Sequence, residues 1–165
     1  MAKPTSSKET IPLLKIVEVD PQGADALKLL QEAAIEARQL YLEEFAPDAP
    51  WPVNGPTPDR GVYLLAYLEG KPLACGALRP IDQATVEVRR MFVTKKARRN
   101  GLARAMLGEL EIRAAGFGYS SIRLETGNRQ LSAMALYETL GFRRIAAFGE
   151  YANDRLSVCF EKTVV

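Results

Sequence analysis

The segment best suited to chemistry is a basic turn with one glycine, Arg98-Arg99-Asn100-Gly101-Leu102-Ala103. It lies between a predicted strand and the start of a predicted helix. A glycine there lets the backbone approach a ligand closely, and the first N–H groups of a helix lack internal partners and carry a positive partial charge. Such a turn predicts an anion site. The patterns of a P-loop and of a dinucleotide fingerprint are both absent, so neither of those phosphate sites is expected.

The chain contains no histidine, which limits the chemistry available elsewhere. Ser-His-Asp and Cys-His catalysis, zinc held by histidine, and an imidazole base are excluded. The two cysteines, Cys75 and Cys159, do not form a CxxC pair and cannot make a structural zinc site. Both lie in apolar strand contexts, which favours buried, unreactive thiols over an acyl-cysteine intermediate. No metal site is predicted.

Basic residues are concentrated around the glycine turn. The net charge is only +2, yet the stretch from Val88 to Gly108 contains seven lysines and arginines and no acid. Such a patch favours binding of a polyanion, either the phosphates of a small molecule or those of a nucleic acid. A solvated surface loop that binds no ligand is the third interpretation. Apart from Phe92, the stretch lacks aromatic side chains on which bases could stack, which disfavours nucleic acid.

The elements that must position these residues form one predicted α/β domain over residues 11–165, after a flexible tail at residues 1–10. A length of 165 residues suits one domain. The predicted order is β-α-β-β-β-α-β-α-β-β, a mixed sheet covered by helices. Helices are expected from Asp25 to about Phe45, from Leu102 to a closing Gly116, and from Ser132 to Leu140.

Two further segments bear on a site. In the strand predicted at 85–93, alternation places one set of side chains on a single face: Thr85, Glu87, Arg89, Met91 and Val93. Residues 47–58 are rich in proline and contain Trp51, so a regular helix or central strand is excluded there. This segment is either the wall of a binding site or an irregular connection that Trp51 anchors to the core.

A second motif lies downstream, where residues 133–142 read A-x-x-L-Y-x-x-x-G-F. It follows a strand that carries Glu87 and ends in Met91-Phe92-Val93, and it follows the R-x-x-G-x-A turn. In this order, the three features resemble the GNAT superfamily of acetyl-CoA-dependent N-acetyltransferases. The resemblance is strongest over about residues 85–143.

The resemblance implies a twisted, mostly antiparallel sheet of about seven strands flanked by helices, with a V-shaped cleft for acetyl-CoA. The turn would bind the pyrophosphate through Arg98, Arg99, Asn100, Gly101, Leu102, Ala103 and Arg104. The strand end, Met91, Phe92 and Val93, would hydrogen-bond the pantetheine amides. Gln130 stands where the family often has asparagine, and Ala103 stands where glycine is commoner.

The resemblance also implies catalytic roles for two residues. Tyr137 would protonate the departing thiolate of CoA, and Glu87 would take the proton from the attacking amine, directly or through one water. Glu87 could instead be the partner of Arg79, Arg89 or Arg90 in an ion pair, and Tyr137 could be a packed residue on an amphipathic helix. The expected reaction is direct attack in a ternary complex.

The expected partner is a primary amine of a small molecule or peptide. Its identity and the acyl-chain preference stay open, since Arg89 or Arg90 suits a carboxylate whereas Glu150 or Asp154 suits extra amines. A homodimer is also open, because dimers are common in the family. With no signal peptide and no apolar run near the roughly 20 residues that span a bilayer, a cytoplasmic protein without membrane contact is expected. A non-catalytic acyl-CoA sensor and a basic-patch nucleic-acid binder are the alternative functions.

Overall fold

Seven strands and three α-helices make up residues 13–164, the part of the chain that the computed structural model describes. The tail predicted at residues 1–10 lies outside this range. The strands are β1 (Leu14–Glu18), β2 (Val62–Leu68), β3 (Lys71–Pro80), β4 (Thr85–Val93), β5 (Ser121–Gly127), β6 (Arg143–Ile145) and β7 (Ser157–Thr163). The helices are α1 (Ala24–Leu40), α2 (Leu102–Gly116) and α3 (Leu131–Thr139). The predicted order of elements is confirmed.

The strands form one sheet in the order β1-β2-β3-β4-β5-β7-β6. Only the β4–β5 pair is parallel, so the predicted mixed, mostly antiparallel sheet of seven strands is confirmed. Pairing between β4 and β5 covers Thr85–Val88 and Ser121–Leu124, although the strands continue to Val93 and Gly127. The two strands therefore diverge beyond this point, and their separation opens the expected V-shaped cleft.

A β-bulge interrupts β4 at Arg90, which has a left-handed backbone with φ 59°. Two residues of β4, Arg90 and Met91, lie opposite the single residue Gly76 of β3. The extra residue reverses which face the following side chains occupy. Bulges of this kind are rarely visible in a sequence, because they depend on the pairing register of both strands.

The bulge corrects the prediction that Glu87, Arg89, Met91 and Val93 share one face. Met91 and Val93 pack into the core beneath α2. Glu87 and Arg89 alternate with the core residues Val86 and Val88 and so point to the opposite face.

The helices cover both faces of the sheet. Helix α2 buries Met106, Leu107 and Leu110 on one face, and α1 buries Ala26 and Leu29 on the other. Among residues 13–164, no helix is long and apolar enough to cross a membrane.

Two predicted helix ends were wrong. Helix α1 begins at Ala24 and ends at Leu40, and only a short 3-10 turn at Leu42–Glu44 continues toward Phe45. Helix α2 includes Gly116, and the left-handed glycine after it is Gly118, with φ 88°. Both ends depend on where the chain must turn back toward the sheet, which hydrophobic periodicity does not specify.

Candidate active site

A cleft of about 960 Å³ lies between the diverging ends of β4 and β5. Small side chains of α1, Ala33 and Ala37, form part of its wall. Nearly all the predicted cofactor residues line it, namely Met91, Phe92, Val93, Arg98, Arg99, Gly101, Leu102, Ala103, Arg104, Gln130 and Tyr137. Asn100 does not line the cleft, and its side-chain amide donates to the carbonyl of Ala97 at 3.3 Å.

The glycine turn leads into α2 as predicted. Gly101 is the residue before the helix and has φ 77°, a conformation that side chains disfavour. A Cβ added there would meet nothing within 4 Å, so the space beside the glycine is open. The N–H groups of Leu102, Ala103 and Arg104 have no acceptor within residues 13–164. These free donors at a helix start form a suitable cradle for an anion.

The arginines of the turn divide into two kinds. Arg98 is bound to Glu36 of α1, with the closest N–O distance at 2.6 Å, and its Nε donates to the carbonyl of Val93 at 3.0 Å. Its side chain therefore ties the turn to α1 and to the end of β4. Arg99 and Arg104 are exposed and have no acidic partner among the residues described. They are the side chains of the turn that remain free to meet a phosphate.

A model of the Acetyltransferase (GNAT) family matches residues 26–142, most of the chain and all of the residues that line the cleft except Tyr151. The chain belongs to the GNAT acetyltransferase family. The expected family is therefore confirmed, and its fold agrees with the sheet and cleft described above.

Curated relatives and solved structures agree with this assignment. The chain is 38% identical over 101 residues to the IAA acetyltransferase of Azospirillum brasilense, a match that covers 61% of this chain and 66% of that protein. The match to human N-acetyltransferase 8 covers 32% of that protein, so the chain spans less than two thirds of the length of both relatives.

Two solved structures share the fold. A candidate acyl-CoA N-acyltransferase from Klebsiella pneumoniae superposes with a TM-score of 0.76 at 28% identity, covering 93% of this chain and 99% of that one. A GNAT acetyltransferase from Elizabethkingia anophelis with acetyl-CoA bound gives a TM-score of 0.66 at 18% identity, covering 91% and 97%. At that identity, the second structure supports the fold alone.

Tyr137 lies on α3 at the base of the GNAT cleft and is 6% exposed. Its ring packs against Phe142 and Phe160, with centroids 5.9 and 5.7 Å away. Burial, followed by the charge of Glu125, raises the pKa of Tyr137 to about 12. The phenol therefore stays protonated at neutral pH, and its oxygen has no hydrogen-bond partner among residues 13–164. Such a group is available as a proton donor.

Glu87 is buried and both of its carboxylate oxygens are engaged. Arg79 lies 2.8 Å from Oε1, and the hydroxyl of Tyr151 donates to Oε2 at 2.7 Å. Arg89 lies 3.7 Å from Oε2 and also contacts Glu150 at 2.8 Å. The sequence left two roles open for Glu87, the base for the attacking amine and the ion-pair partner of an arginine. Its contacts with Arg79 and Arg89 are those of an ion-pair partner.

Glu125, at the end of β5, is a carboxylate that the sequence analysis missed. It lines the cleft, and no arginine or lysine within residues 13–164 forms an ion pair with it. Burial, followed by the negative charges of Asp154 and Glu87, raises the pKa of Glu125 to about 6. The signal was present in the sequence: Glu125 follows the buried Leu124, so alternation places it on the face that Glu87 occupies in the neighbouring strand.

The cysteines are buried, as predicted. Burial raises the pKa of Cys75 to about 12, and its thiol donates to the carbonyl of Arg90 at 3.0 Å. Burial also raises the pKa of Cys159. Neither thiol forms a nucleophilic thiolate readily. Among residues 13–164, no cluster of three or more potential metal ligands occurs.

The 47–58 segment, named here the proline loop, is anchored differently from expectation. Trp51 is 52% exposed and stacks on Arg38 of α1, 3.6 Å from the ring centre to the guanidinium carbon. Asn54 is the buried anchor: its amide donates to the carbonyl of Pro21 at 2.8 Å and to the hydroxyl of Tyr63 at 3.2 Å. Of the two alternatives for this segment, the structure does not support the one in which Trp51 anchors it to the core, because the indole is half exposed.

Proposed function

We propose that this GNAT protein transfers an acetyl group from acetyl-CoA to a primary amine of a small molecule or peptide. The observation that carries the proposal is the pairing of two features in one cleft. An open anion cradle lies at the start of α2, and a buried, protonated Tyr137 lines the same cleft. The relative named IAA acetyltransferase supports this reaction class.

The residues of the chain fit acetyl-CoA as cosubstrate. The free amides of Leu102, Ala103 and Arg104 would receive the pyrophosphate, with Arg99 and Arg104 adding charge. The end of β4 at Met91–Val93 is not paired with β5 and would offer backbone groups to the pantetheine arm on that side, and Gln130 also lines the cleft. Val93 has a lesser share, because its carbonyl already accepts from Arg98.

The proposed reaction is direct attack within a ternary complex. The amine nitrogen forms a bond to the thioester carbonyl carbon, and the carbon–sulfur bond then breaks. Glu125 takes the proton that the amine loses, since its raised pKa suits a general base better than an ordinary carboxylate. Tyr137 gives its phenolic proton to the departing thiolate. Glu87, held by Arg79 and Tyr151, acts as a positioning residue rather than as the base.

The first test is a calorimetric titration with acetyl-CoA, with CoA and ATP as comparisons, on the wild type and on two variants of Gly101. Gly101→Glu is expected to abolish acetyl-CoA binding, because its carboxylate would occupy the place of the pyrophosphate. Gly101→Ala is the matched control: it introduces the same left-handed strain, about 1–2 kcal/mol, without the charge. It is expected to retain most of the affinity.

Each outcome of this titration has a clear meaning. Equal affinity in Gly101→Glu and the wild type would contradict the role of the turn. Tight acetyl-CoA binding without release of CoA across a broad amine panel would favour the sensor function. No binding of acetyl-CoA, together with salt-dependent binding of DNA, would favour the nucleic-acid function. A cytoplasmic location and a homodimer remain predictions.

A further inference from the structure

Arg90 is a half-buried arginine in the cleft wall that has no acidic partner within residues 13–164. Its two hydrogen bonds go to neutral oxygens: Nε donates to the side-chain oxygen of Asn54 at 3.0 Å, and Nη2 donates to the carbonyl of Val53 at 3.0 Å. A guanidinium carries five N–H donors. Three of them are therefore left for another acceptor.

The neighbouring arginines of the cleft do not share this condition. Arg89 is paired with Glu150, Arg98 with Glu36, and Arg129 with Glu43. Arg99 and Arg104 are unpaired but exposed to solvent at the phosphate turn. Arg90 alone among the cleft arginines described is both partly desolvated and without a counter-charge. Burial, followed by the charge of Arg89, lowers its pKa.

The fold holds this charge in place at a cost. Arg90 is the bulge residue of β4, and its φ of 59° is unfavourable for a residue with a side chain. Its carbonyl accepts from the thiol of Cys75, and its guanidinium is held by the proline loop through Val53 and Asn54. A strained backbone and a loop anchor thus hold a positive charge without a counter-charge at a residue that lines the cleft. An uncompensated charge in such a place is suited to receive an anion.

The cleft also presents a complementary negative group. Glu125, on β5, has no basic partner among the residues described and lies on the other side of the opening from β4. A ligand with one positive and one negative end would satisfy both groups at once.

We propose that the acceptor is an amine that also carries a carboxylate, as an amino acid does, and that Arg90 binds that carboxylate. The amine would then face Glu125 and the thioester. This inference rests on the proposed acetyl transfer and names its substrate class. It also assigns the proline loop a function, because Asn54 sets the position of the guanidinium. Arg89 is a weaker candidate, since its charge is already paired with Glu150.

The test compares matched acceptors that differ only in the carboxylate. The full chain is assayed for CoA release with free amino acids, with the corresponding amino acid amides, and with polyamines. The wild type is expected to favour at least one free acid over its amide by tenfold or more in kcat/KM. Arg90→Gln is expected to remove this preference by raising KM for the acid, with little change for the amide. Arg90→Lys should restore part of it. Arg143→Gln, on the exposed edge strand β6, is the control and should leave the preference unchanged.

The outcomes separate this inference from the function on which it rests. Turnover of amides or polyamines at least as fast as of acids would overturn the carboxylate assignment and leave acetyl transfer intact. An acid preference that persists in Arg90→Gln would assign the carboxylate to another residue and would also overturn it. No turnover of any amine, in a protein that binds acetyl-CoA, would count against the proposed function and against this inference with it.

Discussion

The hydroxyl of Tyr151 donates to Oε2 of Glu87 across 2.7 Å, while Arg79 lies 2.8 Å from the other oxygen of the same carboxylate. The 3-10 turn that carries Tyr151 is thereby fastened to β4 beside the cleft. A carboxylate with both oxygens engaged is poorly placed to accept a further proton from a substrate. Glu125, which lacks such partners, takes that role in the proposed reaction.

The two carboxylates are therefore expected to differ in their effect on the pH profile. Glu125 must be ionised to act as a base, so kcat should fall as pH decreases through about 6. Glu125→Gln is expected to lower kcat by about 10²–10⁴-fold and to remove this acid limb. Glu87→Gln should lower kcat through misplacement of the site and keep the limb. Measurement of kcat from pH 5 to 9 with saturating acceptor distinguishes the two variants. If only Glu87→Gln lost the fall in kcat at acid pH, Glu87 would be the base.

The same glutamate is expected to reduce the stability of the free protein. Because the pKa of Glu125 is raised by folding, from 4.5 to about 6, the folded state holds its proton more tightly than the unfolded state does. Its ionised form at pH 7 therefore opposes folding, and this effect fades as pH falls below 6 and is absent below 4.5.

Glu125→Gln should accordingly raise the free energy of unfolding at pH 7 by about 1 kcal/mol, after allowance for solvent screening. Urea denaturation at pH 7 and pH 4 measures the effect, which should disappear at the lower pH. The exposed Glu138, paired with Arg144, offers the control, since Glu138→Gln should change little at either pH. A destabilised Glu125→Gln at pH 7 would show that the carboxylate has a stabilising partner.

Removal of the Tyr137 hydroxyl is expected to affect the chemistry and not the fold. Tyr137→Phe should lower kcat by about tenfold to a thousandfold, because the thiolate would leave without its proton donor. The ring would keep its contacts with Phe142 and Phe160, so stability should change by less than about 1 kcal/mol. Since the pKa of Tyr137 is about 12, its ionisation should not reduce kcat up to pH 10.

Tyr119 provides the matched control for that variant. Its hydroxyl donates to the carbonyl of Arg60 at 2.9 Å, away from the cleft. Tyr119→Phe should cost about 1 kcal/mol of stability and leave kcat unchanged. A wild-type kcat in Tyr137→Phe would reduce Tyr137 to a packing residue.

The cysteines are expected to take no covalent part in the reaction. With its pKa near 12, Cys75 is almost entirely a thiol at neutral pH, and burial also raises the pKa of Cys159. The protein incubated with acetyl-CoA alone should therefore gain no acetyl mass. Initial rates with both substrates varied should give intersecting double-reciprocal lines, and Cys159→Ala should stay active. Parallel lines with an acetylated cysteine peptide would support a ping-pong route instead.

Much of the site was readable from short-range patterns. The turn at Arg98–Ala103 could be identified because it depends on local chemistry, a glycine before a helix. The motif around Tyr137 could be identified because its short pattern resembles that of the GNAT superfamily. The order of strands and helices followed from hydrophobic periodicity for the same reason. Glu125 was readable in principle, since it follows a buried leucine in a strand next to that of Glu87.

Other features required the tertiary structure. The bulge at Arg90 exists only through the register between β3 and β4, and it turned Met91 and Val93 to the opposite face from Glu87. The pairing of Arg98 with Glu36 joins residues 62 positions apart, and it leaves one arginine fewer for the proposed phosphate site. Asn54 rather than Trp51 anchors the proline loop, because burial depends on what packs around a side chain and not on its hydrophobicity alone.

The sequence by itself thus determined the family and the order of elements, and it predicted the phosphate turn and the role of Tyr137. All of these follow from residues close together in the chain. The structure decided which charged groups are paired and which are bare. Arg79, Glu87 and Tyr151 satisfy one another, whereas Arg90 and Glu125 are left facing the cleft. The difference arises because the state of a charge depends on its burial and its neighbours, and folding alone brings these together.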